Sequence, residues 1–360
     1  MYPTSTAGLA LALTLLASPA PGPTASPTPD PTPQPVACGG TITQDTVLAA
    51  DLVCTEGDGL RLVGPVTLDL DGHTISGPGS GTGVTTDSSV HGVVTGGTIR
   101  GWERGVAART DDPPQEPPMP ATVHHMVFRD NASGIHGSTA AFEISWSRFV
   151  DNGTGVDMAF RADATVDRSV FVRNGTGARS GSDHAVLVTA STFRDNEIAL
   201  STSDGAVVAS SSRFTGNTTA VSHFRGVVEL TDNVVAGSEI GVEGSFGSVL
   251  MTSNTFRRNV LAVDGSDTMT LRGNRFVGND RAVVATDPRE QGVTIDIDGD
   301  TFTRNGDAIW ASTASRIANV TAVRNTGWGI YAPNAVDGGG NVARANGNEP
   351  QCVGVVCGAR

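Results

Sequence analysis

The sequence contains no lysine, only two tyrosines and four tryptophans, and four cysteines among its 360 residues. The absence of lysine excludes any lyase mechanism in which a lysine neutralises the substrate. No window of ten or more residues places apolar side chains at helical spacing, so long amphipathic helices are not expected. Because cysteine and methionine do not cluster, a copper-handling function is disfavoured.

Positive charge is also scarce, since 24 arginines stand against 37 aspartates and glutamates and the formal net charge is −13. Asp30 is the only charged residue among residues 1–37, so the rest of the chain has a net charge of −12. No basic stripe is visible along the sequence, which disfavours nucleic acid as a partner. A bare polyanionic sugar would be repelled unless cations bridge it, so a neutral or Ca²⁺-bridged polysaccharide or cell-envelope glycan is the expected partner.

What the sequence does contain is one recurring phrase: a phenylalanine, an asparagine three residues later and an aliphatic residue after four more. Successive asparagine positions are 20 to 26 residues apart, mostly 21 or 22. In one copy the three positions are occupied by Val235, Ser238 and Val242. The last copy is degenerate and consists of Ala322, Asn325 and Ile330. The regular copies are Phe128/Asn131/Ile135, Phe149/Asn152/Val156, Phe171/Asn174/Ala178, Phe193/Asn196/Leu200, Phe214/Asn217/Val221, Phe256/Asn259/Val263, Phe276/Asn279/Val283 and Phe302/Asn305/Ile309.

A fixed period of this length is typical of units that bury their apolar face only by stacking. The segments between the phrases are short, alternating and β-branched, as in Val186–Thr189 and Val293–Ile297, and so predict strands. We therefore predict an all-β, single-stranded right-handed parallel β-helix of about twelve coils, about 4.8 Å apart. Each phenylalanine should stack on the next inside the coil, and each asparagine should sit at a corner where left-handed backbone is tolerated and form a ladder.

These coils resemble the secreted bacterial right-handed parallel β-helix repeat proteins of the pectate-lyase-like superfamily. The opening, from Cys38-Gly39-Gly40 to Gly72-His73-Thr74-Ile75, and the close, Cys352 to Cys357, are similar to the ends of such proteins. The resemblance covers about residues 38–357 and implies the fold. It leaves the function open, because this superfamily contains lyases, hydrolases, epimerases and non-enzymatic binders. Neither the Asp-Pro-His-Asp of alginate epimerases nor the Gly-His-Gly of polygalacturonases is present, so no catalytic residue is transferred.

Three regions are predicted along the chain. Residues 1–20 read as a signal peptide with an apolar run from Leu9 to Ala17, too short to span a membrane. Residues 21–37 form a Pro/Thr-rich linker, and residues 38–357 form the β-helix domain. This order predicts a protein that is secreted, extracellular or associated with the cell envelope. Two interruptions, at residues 108–121 and near Asp287–Gln291, predict loops leaving the coils.

The four cysteines lie two at each end of the repeat and permit three pairings. We expect the local pairs Cys38–Cys54 and Cys352–Cys357, because the open ends of a solenoid expose unpaired strand edges. A disulfide that closes a 15-residue loop stabilises the folded protein by roughly 3 kcal/mol. A metal site at the Cys-x-x-x-x-Cys segment is the alternative.

The position five residues after each asparagine faces outward and forms a column along the stacked coils. It brings His136, Asp157 and Arg179 side by side, a candidate catalytic set in which the carboxylate keeps the histidine basic and the arginine neutralises a uronic acid. The alternative is a solvated face with ion pairs across coils. Farther along, Trp310 and Tyr331 are candidate ligand-binding residues, or they pack under a C-terminal loop.

Asp296, Asp298 and Asp300 alternate on one predicted strand and suggest a Ca²⁺ site, although no glutamate follows at EF-hand spacing. No cofactor is otherwise predicted. Two functions stay open: a secreted glycan-binding or surface-structural protein, or a polysaccharide lyase or epimerase acting on a uronic-acid polymer. The sequence leaves open whether the protein is an enzyme.

Overall fold

The computed structural model describes residues 32–87, 91–109, 119–265, 268–286 and 294–358. Within these ranges all regular structure is β-strand, arranged in three parallel sheets of fifteen strands each. We call the three sheets B, A and C, in the order in which the chain passes through them in each coil. Each strand pairs with the equivalent strand one coil on. The result is a parallel β-helix of about fourteen turns.

Sheet B consists of Gly40–Ile42, Leu60–Leu62, Thr82–Asp87, Arg104–Arg109, Ser133–Ser138, Thr154–Phe160, Thr176–Ser182, Ile198–Ser203, Thr219–Phe224, Ile240–Ser245, Leu261–Asp264, Arg281–Ala285, Asp307–Ala311, Ile330–Tyr331 and Cys352–Val353. Sheet A consists of Pro33–Gln34, Thr46–Leu48, Thr67–Asp69, Val93–Thr95, Pro120–His124, Ala141–Ser145, Asp163–Asp167, Ala185–Thr189, Ala206–Ser210, Val227–Thr231, Ser248–Thr252, Thr268–Arg272, Thr294–Asp298, Ala314–Ala318 and Ala335–Gly339. Sheet C consists of Leu52–Val53, Thr74–Ser76, Thr98–Arg100, Val127–Arg129, Arg148–Val150, Val170–Val172, Thr192–Arg194, Arg213–Thr215, Val234–Ala236, Thr255–Arg257, Arg275–Val277, Thr301–Thr303, Thr321–Val323, Asn341–Arg344 and Cys357–Gly358.

The parallel β-helix predicted from the repeat is confirmed, but the count of twelve coils was too low. The first coils put aliphatic residues where later coils have phenylalanine. Ile75 pairs with Leu52, Ile99 pairs with Ile75, and Phe128 pairs with Ile99. A count based on the phenylalanine phrase underestimates these early coils, although their backbone register is the same.

The phenylalanines of sheet C form two stacks in the core. Neighbouring ring centroids lie between 4.4 and 5.2 Å apart, with interplanar angles of 2° to 13°. The stacks run from Phe128 to Phe214 and from Phe256 to Phe302, and the smaller Val235 separates them. Because these rings are fully buried, each contributes the transfer free energy of an aromatic side chain.

The predicted asparagine ladder is also confirmed. Asn152 Nδ2 donates to Asn174 Oδ1 at 3.0 Å, and the backbone N–H of Asn152 donates to the same oxygen at 3.0 Å. The expectation that the asparagine itself takes the left-handed conformation was wrong. That conformation belongs to the preceding residue, as in Asp151 (φ 56°) and Arg173 (φ 53°). The turn made there points both the N–H and the side chain of the asparagine at the next coil.

A second ladder, which no repeated residue of the sequence indicates, lies at the turn between sheets A and C. Its members change type along the chain, and each accepts a hydrogen bond from the backbone N–H of the equivalent residue one coil back. They are Ser147, Ser169, Ser191, Ser212, Asn233, Asn254, Asn274 and Asp300, and the N–H of Met126 is the first donor. Because the ladder begins with serine and ends with aspartate, no single repeated letter marks it.

Both predicted disulfides are present, Cys38–Cys54 with a Cα–Cα distance of 5.7 Å and Cys352–Cys357 with one of 6.2 Å. The metal alternative for the last two cysteines is therefore excluded. Pro33–Gln34, inside the range predicted as linker, already pairs with Val47 and Leu48. The predicted signal peptide, most of the linker, the central part of the first predicted loop and the second predicted loop lie outside the described residues.

No described segment forms a helix long and apolar enough to cross a membrane.

Candidate functional site

One outward position of sheet B recurs in every coil and forms a continuous column, here called the outward column. Its register confirms the alignment made from the sequence, and Trp310 pairs with Tyr331, which follows Asn325 by six residues rather than five. The column consists of Thr41, Arg61, Thr85, Ala107, His136, Asp157, Arg179, Ser201, Ser222, Glu243, Asp264, Val284, Trp310, Tyr331 and Val353.

The three predicted catalytic residues are in contact. His136 Nδ1 lies 3.2 Å from Asp157 Oδ2, and on the other side of the carboxylate Arg179 Nε donates to Oδ1 at 2.9 Å. Arg179 Nη2 is 2.7 Å from the same oxygen. The carboxylate therefore orients the imidazole, while the guanidinium is held against Asp157.

The surroundings of Asp157 keep it ionised. Burial raises its pKa, but the hydrogen bond to His136 and the adjacent charge of Arg179 together outweigh burial and lower the pKa below its usual value. An ionised Asp157 favours the proton on His136 Nδ1 and leaves Nε2 as the basic nitrogen. Nε2 makes no hydrogen bond to any described residue, so it is the atom of this set that is available to a ligand.

His136 also lines a groove of about 840 Å³ along the first coils of sheet B. The groove contains two arginines, Arg61 and Arg104, and Arg104 Nη2 is 2.9 Å from the carboxylate of Glu103. The full lining is Gly39, Thr41, Asp58, Gly59, Leu60, Arg61, Thr82, Thr85, Thr86, Asp87, Arg104, Ala107, His136 and Ser138. The repeat does not indicate this groove, because the repeated residues are irregular in the first coils. Extending the column backwards from His136 leads to it.

Past Ser201 and Ser222, the outward column contains the carboxylates of Glu243 and Asp264 on successive coils. Thr219 Oγ1 donates to Glu243 Oε1 at 3.2 Å. Burial raises the pKa of Glu243, and the charge of Asp264 raises it further, while the bond from Thr219 opposes both. Glu243 therefore keeps its proton to a higher pH than an exposed glutamate does.

The two aromatic residues predicted as ligand contacts lie together near the C-terminal end of the column. The rings of Trp310 and Tyr331 are stacked, with centroids 6.2 Å apart and an interplanar angle of 11°. A third ring, that of Trp328, lies 4.9 Å from Tyr331 and is tilted by 45°. All three are half-buried. Trp328 was not predicted from the sequence, because it precedes the strand and lies outside the repeated positions.

The three aspartates considered for Ca²⁺ do not share a site. Asp296 pairs with Arg272 and Arg316, and Asp298 accepts from Arg316 at 3.2 Å and from Asn319 at 2.8 Å. Asp300 is fully buried in the second ladder. Nowhere in the described ranges do three or more His, Cys, Asp or Glu side chains form a group suited to a metal ion.

Comparison with known proteins gives one structural likeness. No known family model matches the sequence. No curated protein sequence matches it either. The fold is similar to the catalytic unit of a thermostable GH87 alpha-1,3-glucanase from Streptomyces thermodiastaticus strain HF3-3, at 14% identity and a TM-score of 0.46. The aligned region covers 92% of this chain and 66% of that one.

Proposed function

We propose that the protein binds a polysaccharide along the outward column of sheet B. The observation that supports this most directly is the cluster of Trp310, Trp328 and Tyr331 near one end of a mostly polar column. The apolar face of a sugar ring packs against aromatic rings, whereas the edges of Trp and Tyr supply hydrogen-bond donors. Half-buried rings at an open face keep this surface available to a ligand.

The geometry of the column suits a linear polymer. Its members repeat once per coil, about 4.8 Å apart, so an extended chain meets a similar contact at each step. Between the aromatic cluster and His136, the column offers the hydroxyls of Ser201 and Ser222 and the carboxylates of Glu243 and Asp264. These groups hydrogen-bond sugar hydroxyls, and they define an extended binding face rather than a closed pocket.

The location that fits this function is outside the cytoplasm. Two disulfides clip the two ends of the β-helix, and disulfides persist in oxidising compartments. With the predicted signal peptide and linker, this supports secretion or attachment at the cell envelope.

The binding proposal predicts that Trp310→Ala and Tyr331→Ala each weaken binding to a neutral polysaccharide by about tenfold or more. Affinity electrophoresis in gels containing dextran, xylan or a β-glucan would measure this. Trp146→Ala is the matched control, because Trp146 is 54% exposed and lies outside sheet B. An equal loss for Trp146→Ala, or unchanged mobility of both column variants in a gel that retards the wild type, would contradict the proposal.

A second candidate function is elimination or epimerisation at a uronic acid in the groove. It is favoured by the oriented imidazole of His136, which lines the groove beside two arginines. In elimination, His136 Nε2 removes the proton at C5, the bond from C4 to the glycosidic oxygen breaks, a C4=C5 double bond forms, and the departing oxygen takes up a proton. Arg61 or Arg104 would neutralise the carboxylate that acidifies C5.

This candidate predicts unsaturated products from a uronate polymer and a loss of about a hundredfold or more in their rate of formation for His136→Ala. Ultraviolet absorbance of the new double bond reports the reaction, and proton exchange at C5 reports epimerisation. His184→Ala is the control, since His184 Nδ1 lies 2.9 Å from Asp163 in a comparable pair away from the groove. If no polymer in a uronate panel is changed, the chain is a binder and not a lyase or epimerase.

A further inference from the structure

The three sheets differ sharply in the charge of their strands. The described strands of sheet C contain no aspartate or glutamate but eight arginines. Those of sheet A contain eight acidic residues and two arginines, and those of sheet B contain five of each sign. The arginines of sheet C are Arg100, Arg129, Arg148, Arg194, Arg213, Arg257, Arg275 and Arg344.

This segregation follows from the phenylalanine phrase. Because the inward residue of a sheet C strand, most often phenylalanine, is flanked by residues that face outward, the flanking positions of successive coils form the outer surface of this sheet. Arginine occupies one of these two positions in many coils, as in Thr255-Phe256-Arg257 and Arg275-Phe276-Val277. Residues about twenty positions apart in the sequence are thereby brought onto one face, and the expectation of no basic stripe does not hold for the wound chain.

In the first half of the β-helix, three arginines on or next to the strands of sheet C are neutralised by a nearby aspartate. Arg129 pairs with Asp130 at 3.0 Å, Arg173 with Asp151 at 2.8 Å and Arg194 with Asp195 at 3.3 Å. In the second half, the guanidinium groups of seven arginines on the strands or the turns after them make no ion pair or hydrogen bond with any described residue. We call Arg213, Arg257, Arg258, Arg275, Arg304, Arg324 and Arg344 the arginine patch; all but the half-buried Arg257 are exposed.

We propose that the arginine patch binds a linear anionic polysaccharide with carboxylate groups. Arg257 and Arg275 lie on successive coils, as do Arg304 and Arg324 at the turn. The coil spacing of about 4.8 Å is comparable to the length of one sugar unit in an extended chain. Each guanidinium can engage one carboxylate through two N–H donors.

Two features of the face favour a polysaccharide over a nucleic acid. First, the outward positions of the described sheet C strands contain no aromatic side chain, and single-stranded nucleic acids are typically held by bases stacked on aromatic rings. Second, threonine hydroxyls alternate with the arginines at Thr255, Thr301, Thr303 and Thr321, and they can hydrogen-bond sugar hydroxyls.

The overall negative charge does not prevent this binding. Exposed charges farther apart than a Debye length, about 8 Å at physiological salt, interact weakly. The binding of a polyanion to sheet C therefore depends more on the nearby arginines than on the acidic strands of sheet A. No bridging cation is then required, in contrast to the expectation from net charge alone.

The test uses sodium polygalacturonate as the probe and the triple variant Arg257→Gln, Arg275→Gln and Arg304→Gln. We expect the dissociation constant at low salt to rise by about tenfold or more, because three charged contacts are removed. The control Arg129→Gln, Arg168→Gln and Arg194→Gln makes the same change in net charge but removes arginines that pair with neighbouring aspartates. Its dissociation constant should change less than about twofold.

Several outcomes would overturn the proposal: no binding of polygalacturonate by the wild type, equal losses for the two triple variants, or tighter binding of single-stranded DNA than of polygalacturonate. Circular dichroism and thermal unfolding verify that both variants are folded, and all six arginines are surface residues. The variants leave the outward column of sheet B intact. Binding of neutral polysaccharide therefore tests the proposed function separately.

Discussion

Replacing Phe171 by alanine is expected to lower the free energy of unfolding by roughly 3–5 kcal/mol. The ring is fully buried and stacked between Phe149 at 4.5 Å and Phe193 at 4.4 Å. Its removal loses apolar burial, breaks two ring contacts and leaves a cavity that the surrounding coils fill only in part, since their backbones are fixed by three parallel sheets. Urea denaturation followed by circular dichroism would measure the change.

The control is Phe160→Ala, on the sheet B strand of the same coil. This ring is 52% exposed and its main neighbour is the Arg161 guanidinium, 5.5 Å from the ring centroid. We expect its removal to change stability by about 0.5–1 kcal/mol. Similar effects for the two variants would mean that the phenylalanine stack contributes no more than a surface ring and would contradict the proposed core.

Replacing Asp300 by asparagine is expected to stabilise the protein at pH 8 by on the order of 4 kcal/mol. Burial raises the pKa of Asp300 from 3.8 to about 7, against the hydrogen bonds that Asn274 donates to Oδ1. Its other oxygen, Oδ2, is buried and has no hydrogen-bond partner among the described residues. At the equivalent places in this ladder, an asparagine amide donates to a backbone carbonyl one coil back, as Asn274 Nδ2 does to Met251 at 2.8 Å.

The pH dependence of this effect has a definite sign. Because the folded-state pKa is raised, Asp300 does not lower the free energy of unfolding below about pH 4, where it is protonated in both the folded and the unfolded state. Its cost grows as the pH rises from 3.8 to about 7, where only the unfolded chain ionises, and is constant above that. The advantage of Asp300→Asn should therefore vanish below about pH 4, which urea denaturation at several pH values would show.

Asp298→Asn serves as a control of opposite sign. Hydrogen bonds from Asn319 and Arg316 lower the pKa of Asp298, so this carboxylate stabilises the fold above its unfolded pKa and loses that effect as the pH falls. Its replacement should destabilise the protein slightly at neutral pH. Stabilisation by Asp298→Asn equal to that by Asp300→Asn would show that the gain comes from lower net charge rather than from the buried ladder.

The core was predictable from the sequence because its determinants recur. Phe149 and Phe171 occupy equal positions in successive coils, and Asn152 and Asn174 make the same hydrogen bonds, so one phrase predicts stack, ladder and register together. The outward column followed from the same register by simple alternation. This is why His136, Asp157 and Arg179 could be placed in contact before any coordinates were considered.

Other features were not predictable because they depend on what the winding brings together. Asp300 belongs to a ladder that begins with Ser147, and no repeated residue type connects the two. The groove beside His136 is formed by coils without the phenylalanine phrase. Trp328 joins Trp310 and Tyr331 only through the path of the last coils.

The sequence by itself determined the period, the strand register, the inward residues and the two disulfide pairs, because each depends on spacing along a chain that repeats. Only the tertiary structure decided how charge is distributed and which polar groups are buried. Arginines scattered every few dozen residues become one face when the coils are stacked, and a carboxyl that looks exposed in the sequence becomes a buried acid with a raised pKa. Both depend on distances between coils, which spacing along the chain does not give.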